Sequence, residues 1–180
     1  MSSNTTTQSV TPRIYVADLA ACNSGVLRGI WVDAAQDPDD IHAEIQAMLA
    51  KSPEPISEDW GLHDYEGFGS VRLSEYEDIA HVAEMADLIV KHGELAAEVI
   101  AHTSTIDEAR EMLDEQYQGS FENIEDWAVQ YLDDTGALKD MPASLKYYFH
   151  YEMFARDCEM NGEITTIETN DGQVHVFSGR

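Results

Sequence analysis

The chain has 180 residues, with 35 Asp or Glu against 10 Lys or Arg and a formal net charge of −25. Hydrophobic residues still make up 43% of it, enough to build a core, so the charge does not force disorder. Direct binding to nucleic acid needs a basic stripe and is excluded, because the ten basic residues are scattered singly from Arg13 to Arg180.

Met1 to Thr11 is polar, rich in Ser and Thr, and lacks the apolar segment of a signal peptide, so residues 1–12 are expected to form a disordered tail. Ile14-Tyr15-Val16-Ala17 is a short β-prone run and Asn23-Ser24-Gly25 has turn chemistry. Val26 to Val32 supplies a second strand, and the two runs are expected to pair as a hairpin. Asp37 before Pro38 reads as an N-cap and first helical position, followed by Ile41, Ile45, Met48 and Leu49 at helical spacing. Two prolines between Lys51 and Pro55 end that helix. A short strand through Gly61-Leu62-His63 and a glycine-rich link complete an N-terminal α/β unit over residues 13–69.

The pattern then becomes helical. Ser74 with Glu77 is a capping-box pair, and Ile79, Val82, Met85, Ala86 and Ile89 form one face of the helix it is expected to open. Gly93 breaks this helix, and Leu95, Val99 and Ile100 mark a short second one. Thr105 with Glu108 repeats the capping box and opens a third, with Ile106, Ala109 and Leu113 inward. Residues 70–118 thus read as a central helical bundle.

The last unit, residues 119–180, starts with a helix carrying Phe121, Ile124, Trp127, Ala128 and Tyr131 and stopping at Gly136. Met141-Pro142 opens another, continued by Leu145, Tyr148, Phe149 and Met153 and ended by Asn161-Gly162. Glu163 to Thr169 and Gln173 to Phe177 flank the turn Asn170-Asp171-Gly172 as a terminal hairpin. The fold class is α+β, with three small units in series.

No motif points to catalysis or to a cofactor. The seven histidines (His42, His63, His81, His92, His102, His150 and His175) lack metal-ligand spacing and read as ordinary surface or core residues. His63 and Asp64 are adjacent on a strand and point to opposite faces, so they form no acid–base pair. Gly67-Phe68-Gly69 lacks the context of a phosphate loop, and no GxSxG elbow is present. Cys22 and Cys158 suit a reducing compartment, and no apolar run has the length of a membrane span. A cytoplasmic protein that is not an enzyme is expected, without metal or cofactor and without a membrane partner.

The acid is unevenly placed. From Glu94 to Asp140 there are thirteen Asp or Glu and only Arg110 and Lys139 against them, a local net of −11. Asp107, Glu108, Glu111, Asp114, Glu115, Glu122, Glu125, Asp126, Asp133, Asp134 and Asp140 belong to this stretch. Asp107, Glu111, Asp114 and Glu115 share one helix face, where each like-charge pair costs about 0.2–0.5 kcal/mol. A solvated face normally offsets this with lysines, and here they are nearly absent. Either the face is plainly solvated, or the anionic surface is the working surface. Two copies at −25 each carry −50. At duplex DNA's about 1.7 Å of axis per charge, that matches roughly 85 Å of duplex.

Several segments, in order, resemble the ArdA family of antirestriction proteins. They are Ile14-Tyr15-Val16 with Gly25 and Gly29-Ile30-Trp31, then His63-Asp64-Tyr65-Glu66-Gly67-Phe68, then Tyr131 to Leu138, Met141 to Leu145, Tyr148 to Glu152 and Phe154 to Asp157. The resemblance runs from about Arg13 to the C-terminus, by pattern and acidity alone between Ser70 and Gly119. It implies an elongated, three-part homodimer carried on mobile genetic elements. Such a protein imitates DNA, occupies the DNA channel of type I restriction-modification enzymes and protects incoming DNA. The family's antirestriction motif falls at about Leu138 to Tyr151 and is linked to the dimer contact. The resemblance therefore places the interface around Met141, Ala143, Ser144, Leu145, Tyr148 and Phe149, although these residues also suit the core of the third unit. The alternative function is an acidic adaptor for another basic DNA-binding protein.

Overall fold

A computed structural model describes residues 11–54 and 56–179. The expected tail lies outside the described residues except for Thr11 and Pro12, and Pro12 is buried. Its carbonyl accepts the Ala34 N–H at 2.9 Å. The chain is α+β, and its contacts form two compact units, one up to Ala109 and one from Arg110 onward.

The first unit is built on a three-stranded antiparallel sheet of order β2-β1-β3, with β1 Arg13–Asp18, β2 Gly29–Asp33 and β3 Trp60–Glu66. The expected hairpin forms, with Ile14 opposite Val32 and Val16 opposite Ile30. Alternation along β1 buries Ile14 and Val16 completely. Helix α2 (Pro38–Leu49) packs against β1 and β2, burying Ile41, Ile45, Met48 and Leu49, with Asp37 as its N-cap. β3 is longer than the three residues expected for it, because pairing with β1 extends it to Glu66.

A short helix that the residue pattern did not announce, α1 (Leu19–Asn23), stands between β1 and β2. Its origin is Asp18, whose Oδ1 accepts the Ala21 N–H at 3.1 Å and the Ser57 hydroxyl at 2.6 Å. Arg28 Nε lies 4.0 Å from Oδ2. Burial alone raises the Asp18 pKa, but hydrogen bonds from Ser52, Ser57 and the backbone at Ala21 and Ala20 outweigh it and hold the carboxyl below the ordinary aspartate value. A depressed folded pKa stabilises the fold fully above the ordinary aspartate value, and this contribution is lost as the pH falls through the lower folded value. Asp18→Asn is accordingly expected to cost about 1–3 kcal/mol at neutral pH. The gap to the parent, read from urea midpoints, should close in acid.

Helices α3 (Ile79–His92) and α4 (Glu94–His102) pack on each other, and α3 also packs on α2. All five residues expected on the inner face of α3 are buried. Only half of the Ser74–Glu77 box is made: the Ser74 N–H and hydroxyl both donate to Glu77 Oε2, at 3.2 and 3.0 Å, while the Glu77 N–H goes to the Ser74 carbonyl at 3.3 Å. It closes the preceding turn, however, and does not start the helix. The helix start belongs to Asp78, which accepts the His81 N–H at 3.2 Å. In the link before α3, Gly69 has φ +54°, and a Cβ there would lie 2.7 Å from the Ala97 methyl on α4, so the link approaches α4 only because this residue has no side chain.

The third expected helix, α5 (Ile106–Glu111), is capped by the Thr105 hydroxyl, which accepts the Glu108 N–H at 3.2 Å while Glu108 reaches back to the Ser104 N–H, but it does not stay regular through Leu113. It passes into a π-helical turn at Met112–Gln116, which brings the chain to a strand, β4 (Tyr117–Phe121). The residue pattern placed no strand here. Tyr-Gln-Gly-Ser-Phe has no apolar alternation, and pairing with β6 (Val174–Ser178) holds it extended. Gln118 donates to Ser178 at 3.1 Å, and Ser120 donates to Gln173 at 3.0 Å. The terminal hairpin of β5 (Ile164–Glu168) and β6 is as expected, so the second sheet has order β4-β6-β5.

Helices α6 (Ile124–Asp134) and α8 (Tyr151–Met160) cover this sheet, with Trp127, Ala128, Ala155, Cys158, Ile164 and Val176 at the centre of the core. α6 starts later than the apolar spacing from Phe121 suggested, because Asn123 caps it by accepting the Asp126 N–H at 3.0 Å. Asn123→Ala removes that cap and is expected to cost about 1 kcal/mol, measurable as a lowered denaturation midpoint. The single helix expected from Met141-Pro142 to the stop at Asn161-Gly162 is two, α7 (Ala143–Lys146) and α8, separated at His150, whose ψ of 89° is not helical. Among the described residues, no helix is long and apolar enough to cross a membrane.

Candidate functional site

The eleven carboxylates singled out by charge fall on α5, the π-turn, the β4–α6 junction, α6 and the turn after it. All are exposed except Glu108, which is half-buried. Not all are free. Glu108 accepts the Ser104 N–H at 3.1 Å, so it holds the start of α5. Glu111 accepts from Gln116 at 2.9 Å. Asp126 accepts from the Asn123 amide at 2.9 Å, as part of the α6 cap. The helix face shared by Asp107, Glu111, Asp114 and Glu115 is interrupted, because the last two lie on the π-turn and leave the regular helical spacing.

Glu115, Glu122, Glu125, Asp133, Asp134 and Asp140 make no side-chain ion pair or hydrogen bond to another described residue. Four carboxylates stand on α6, two in its first turn and two at its end. Glu125 and Asp126 favour the positive end of the helix dipole. Asp133 and Asp134 oppose the negative end, where each costs about 0.3–1 kcal/mol, and no basic residue stands in that last turn to offset them. Stability therefore does not explain these two side chains. From Glu125 to Asp134 the helix rises about 14 Å. Duplex DNA carries about eight charges over that length, so α6 alone reaches about half the density of duplex.

The first unit adds acid that the residue count had not singled out. Asp40 and Glu44 stand one turn apart on α2, and Glu84 and Asp87 do so on α3, all exposed. The signal was their helical spacing, diluted by neighbours of mixed type. A cavity of about 530 Å³ in the second unit has Asp126, Asp133, Lys139, Lys146 and Tyr151 in its lining.

The residues placed at a dimer contact do not fill the core of the second unit. Ala143, Ser144, Leu145 and Tyr148 are exposed, Met141 and Phe149 are half-buried, and α7 buries no residue at all. Leu145 is 55% exposed and Tyr148 72% exposed. Tyr147, Met153 and Met160 are exposed as well.

The histidines have local roles. His81 Nδ1 is 3.2 Å from Glu77, His63 lies 3.8 Å from Glu75, and His175 is held between Tyr117 at 3.0 Å and Thr169 at 3.2 Å. No group of three or more metal-ligating side chains is assembled among the described residues.

The family model for the antirestriction protein ArdA matches residues 14–172 of the chain. The chain belongs to the ArdA family. The ArdA match takes in the acidic stretch and the exposed α7 region, and it assigns the chain an antirestriction role. No curated protein matches the chain significantly.

Proposed function

We propose that this ArdA protein is a DNA mimic that inhibits type I restriction-modification enzymes by occupying their DNA channel. The observation that carries the reading is the set of unpaired carboxylates on the second unit, above all Asp133 and Asp134 at the unfavourable end of α6. Enzymes that handle DNA hold it through Lys and Arg aimed at phosphates, and these contacts sense position without reading sequence. Carboxylates fixed on a helix meet the same side chains. Because a folded protein need not be bent to fit, it avoids the deformation cost of duplex, about 1–6 kcal/mol. It acts by occupancy, without turnover.

Dimerisation completes the proposal. Leu145, Tyr148, Met141 and Phe149, joined by Tyr147, form a half-exposed apolar surface that a second copy would cover, doubling the charge to −50 from −25 per chain. The test is a titration of a purified type I enzyme with this protein, following both cleavage and duplex binding at two salt concentrations. Stoichiometric inhibition that displaces duplex and weakens with salt is the expected result. Failure of folded protein to inhibit enzymes of several type I families would overturn the proposal.

A further inference from the structure

The second unit contains a smaller cavity of about 240 Å³ whose lining is unlike the rest of the acidic surface. It is formed by Phe121, Trp127 and Tyr131 together with Gln118, Gln130 and Asp134. Trp127 and Tyr131 are one turn apart on α6 and stack with ring centroids 5.1 Å apart at 20°. Phe154 stacks with both rings at 6.3 Å and Trp127 is only 3% exposed, so the buried rings anchor the stack and Tyr131, 41% exposed, is the ring that it presents. The Trp127 Nε1–H donates to Gln118 Oε1 at 2.8 Å, and Gln118 Nε2 donates to Ser178 at 3.1 Å. These bonds fix the indole against β4 and β6 before any partner arrives. Asp134 and Gln130 make no side-chain hydrogen bond or ion pair with another described residue.

We infer that this cavity is a receptor for a single arginine side chain of the protein's partner. The exposed Tyr131 ring attracts a cation, and Asp134 adds a full negative charge beside it. The volume is below the about 300–1,000 Å³ of sites for whole small molecules, which favours one side chain over a metabolite. Arginine suits it better than lysine, because a planar guanidinium stacks on a ring while donating in parallel to a carboxylate. Duplex DNA offers no such feature. The contact gives the inhibitor a component of binding that does not depend on imitating phosphates. Placing that arginine on a restriction enzyme rests on the mimicry proposal, whereas the cavity's preference for a guanidinium does not.

The test uses the full ¹⁵N-labelled chain and follows the Trp127 indole N–H resonance. Nα-acetyl-argininamide is expected to shift it saturably in the millimolar range, and the uncharged citrulline counterpart is not. Asp134→Asn, at an exposed helix end, should weaken the response about fivefold, and Tyr131→Leu about tenfold. Equal responses to arginine and citrulline, or to arginine and lysine, overturn the inference, as does indifference to both substitutions. With a type I enzyme, Tyr131→Leu should weaken inhibition about tenfold, as loss of one anchoring contact does, without changing its salt dependence. Normal inhibition by that variant, alongside normal arginine binding by the parent, overturns the placement of the arginine on the enzyme. Absence of inhibition by the parent overturns the mimicry proposal and leaves the result with argininamide standing.

Discussion

Replacing Glu115, Glu122, Glu125, Asp133 and Asp140 together by their amides is expected to weaken inhibition of a type I restriction enzyme by about 30- to 700-fold. Each of these side chains lacks a partner within the described chain, so each is available to an incoming Lys or Arg. An exposed pair contributes about 0.2–1 kcal/mol, and five of them sum to about 2–4 kcal/mol at mid-range. Every 1.4 kcal/mol is about tenfold in affinity. The salt dependence of inhibition should flatten in the same variant, because fewer charges are screened. Folding should survive. Removing Asp133 relieves the end of α6, removing Glu125 gives up a comparable dipole contribution, and lower net repulsion favours the compact state. Single replacements should change inhibition only a few-fold each. Undiminished, equally salt-sensitive inhibition by the fivefold variant would show that the anionic surface is not the contact.

Phe177→Ala should have the largest effect on stability. Phe177 is fully buried on β6, the central strand of the second sheet, and its ring lies 5.4 Å from that of Tyr117. Truncating a buried phenylalanine costs about 3–5 kcal/mol, through lost burial and the cavity left behind. Total stability of a domain is about 5–15 kcal/mol, so the variant should unfold at clearly lower urea and temperature. The same change relocates no charge. If inhibition persists wherever the variant remains folded, the core serves only to hold the surface. A shift of less than about 1 kcal/mol in the unfolding free energy would contradict the packing described for β6.

What the residues declared in advance follows how local the cause was. The β1–β2 hairpin, α2, the buried face of α3 and the β5–β6 hairpin were legible, because apolar period, caps and turn residues agree within each segment. α1 was not, since it depends on a buried carboxylate that also reaches Ser57, distant in the chain. β4 was not, since its extension comes from a partner 53 to 60 positions away, as the Ser120–Gln173 and Gln118–Ser178 bonds show. The Ser74–Glu77 pair bonds as half a box but does not open α3, because Asp78 directly after it is the better-placed cap. Charge counting found the exposed carboxylates, which composition alone can do. It did not separate those engaged in caps, such as Glu108 and Asp126, from those left unpaired, which takes coordinates. Nor did it mark the aromatic cavity beside Asp134, whose walls come from β4 as well as α6.

Both sheets have only three strands, so β2, β3, β4 and β5 are edge strands among the described residues, β3 covered in part where the Leu62 N–H donates to the Glu75 carbonyl at 2.8 Å. Bare ladders invite other chains to add to them, and proteins commonly guard them with charge. Here Asp33 ends β2, Asp64 and Glu66 lie on β3, Glu122 follows β4 and Glu168 ends β5, all of them exposed. Whatever else the acid does, it makes these sheets poor templates for one another. The same charge that the proposed mimicry uses thus also discourages edge-to-edge pairing of these sheets between copies.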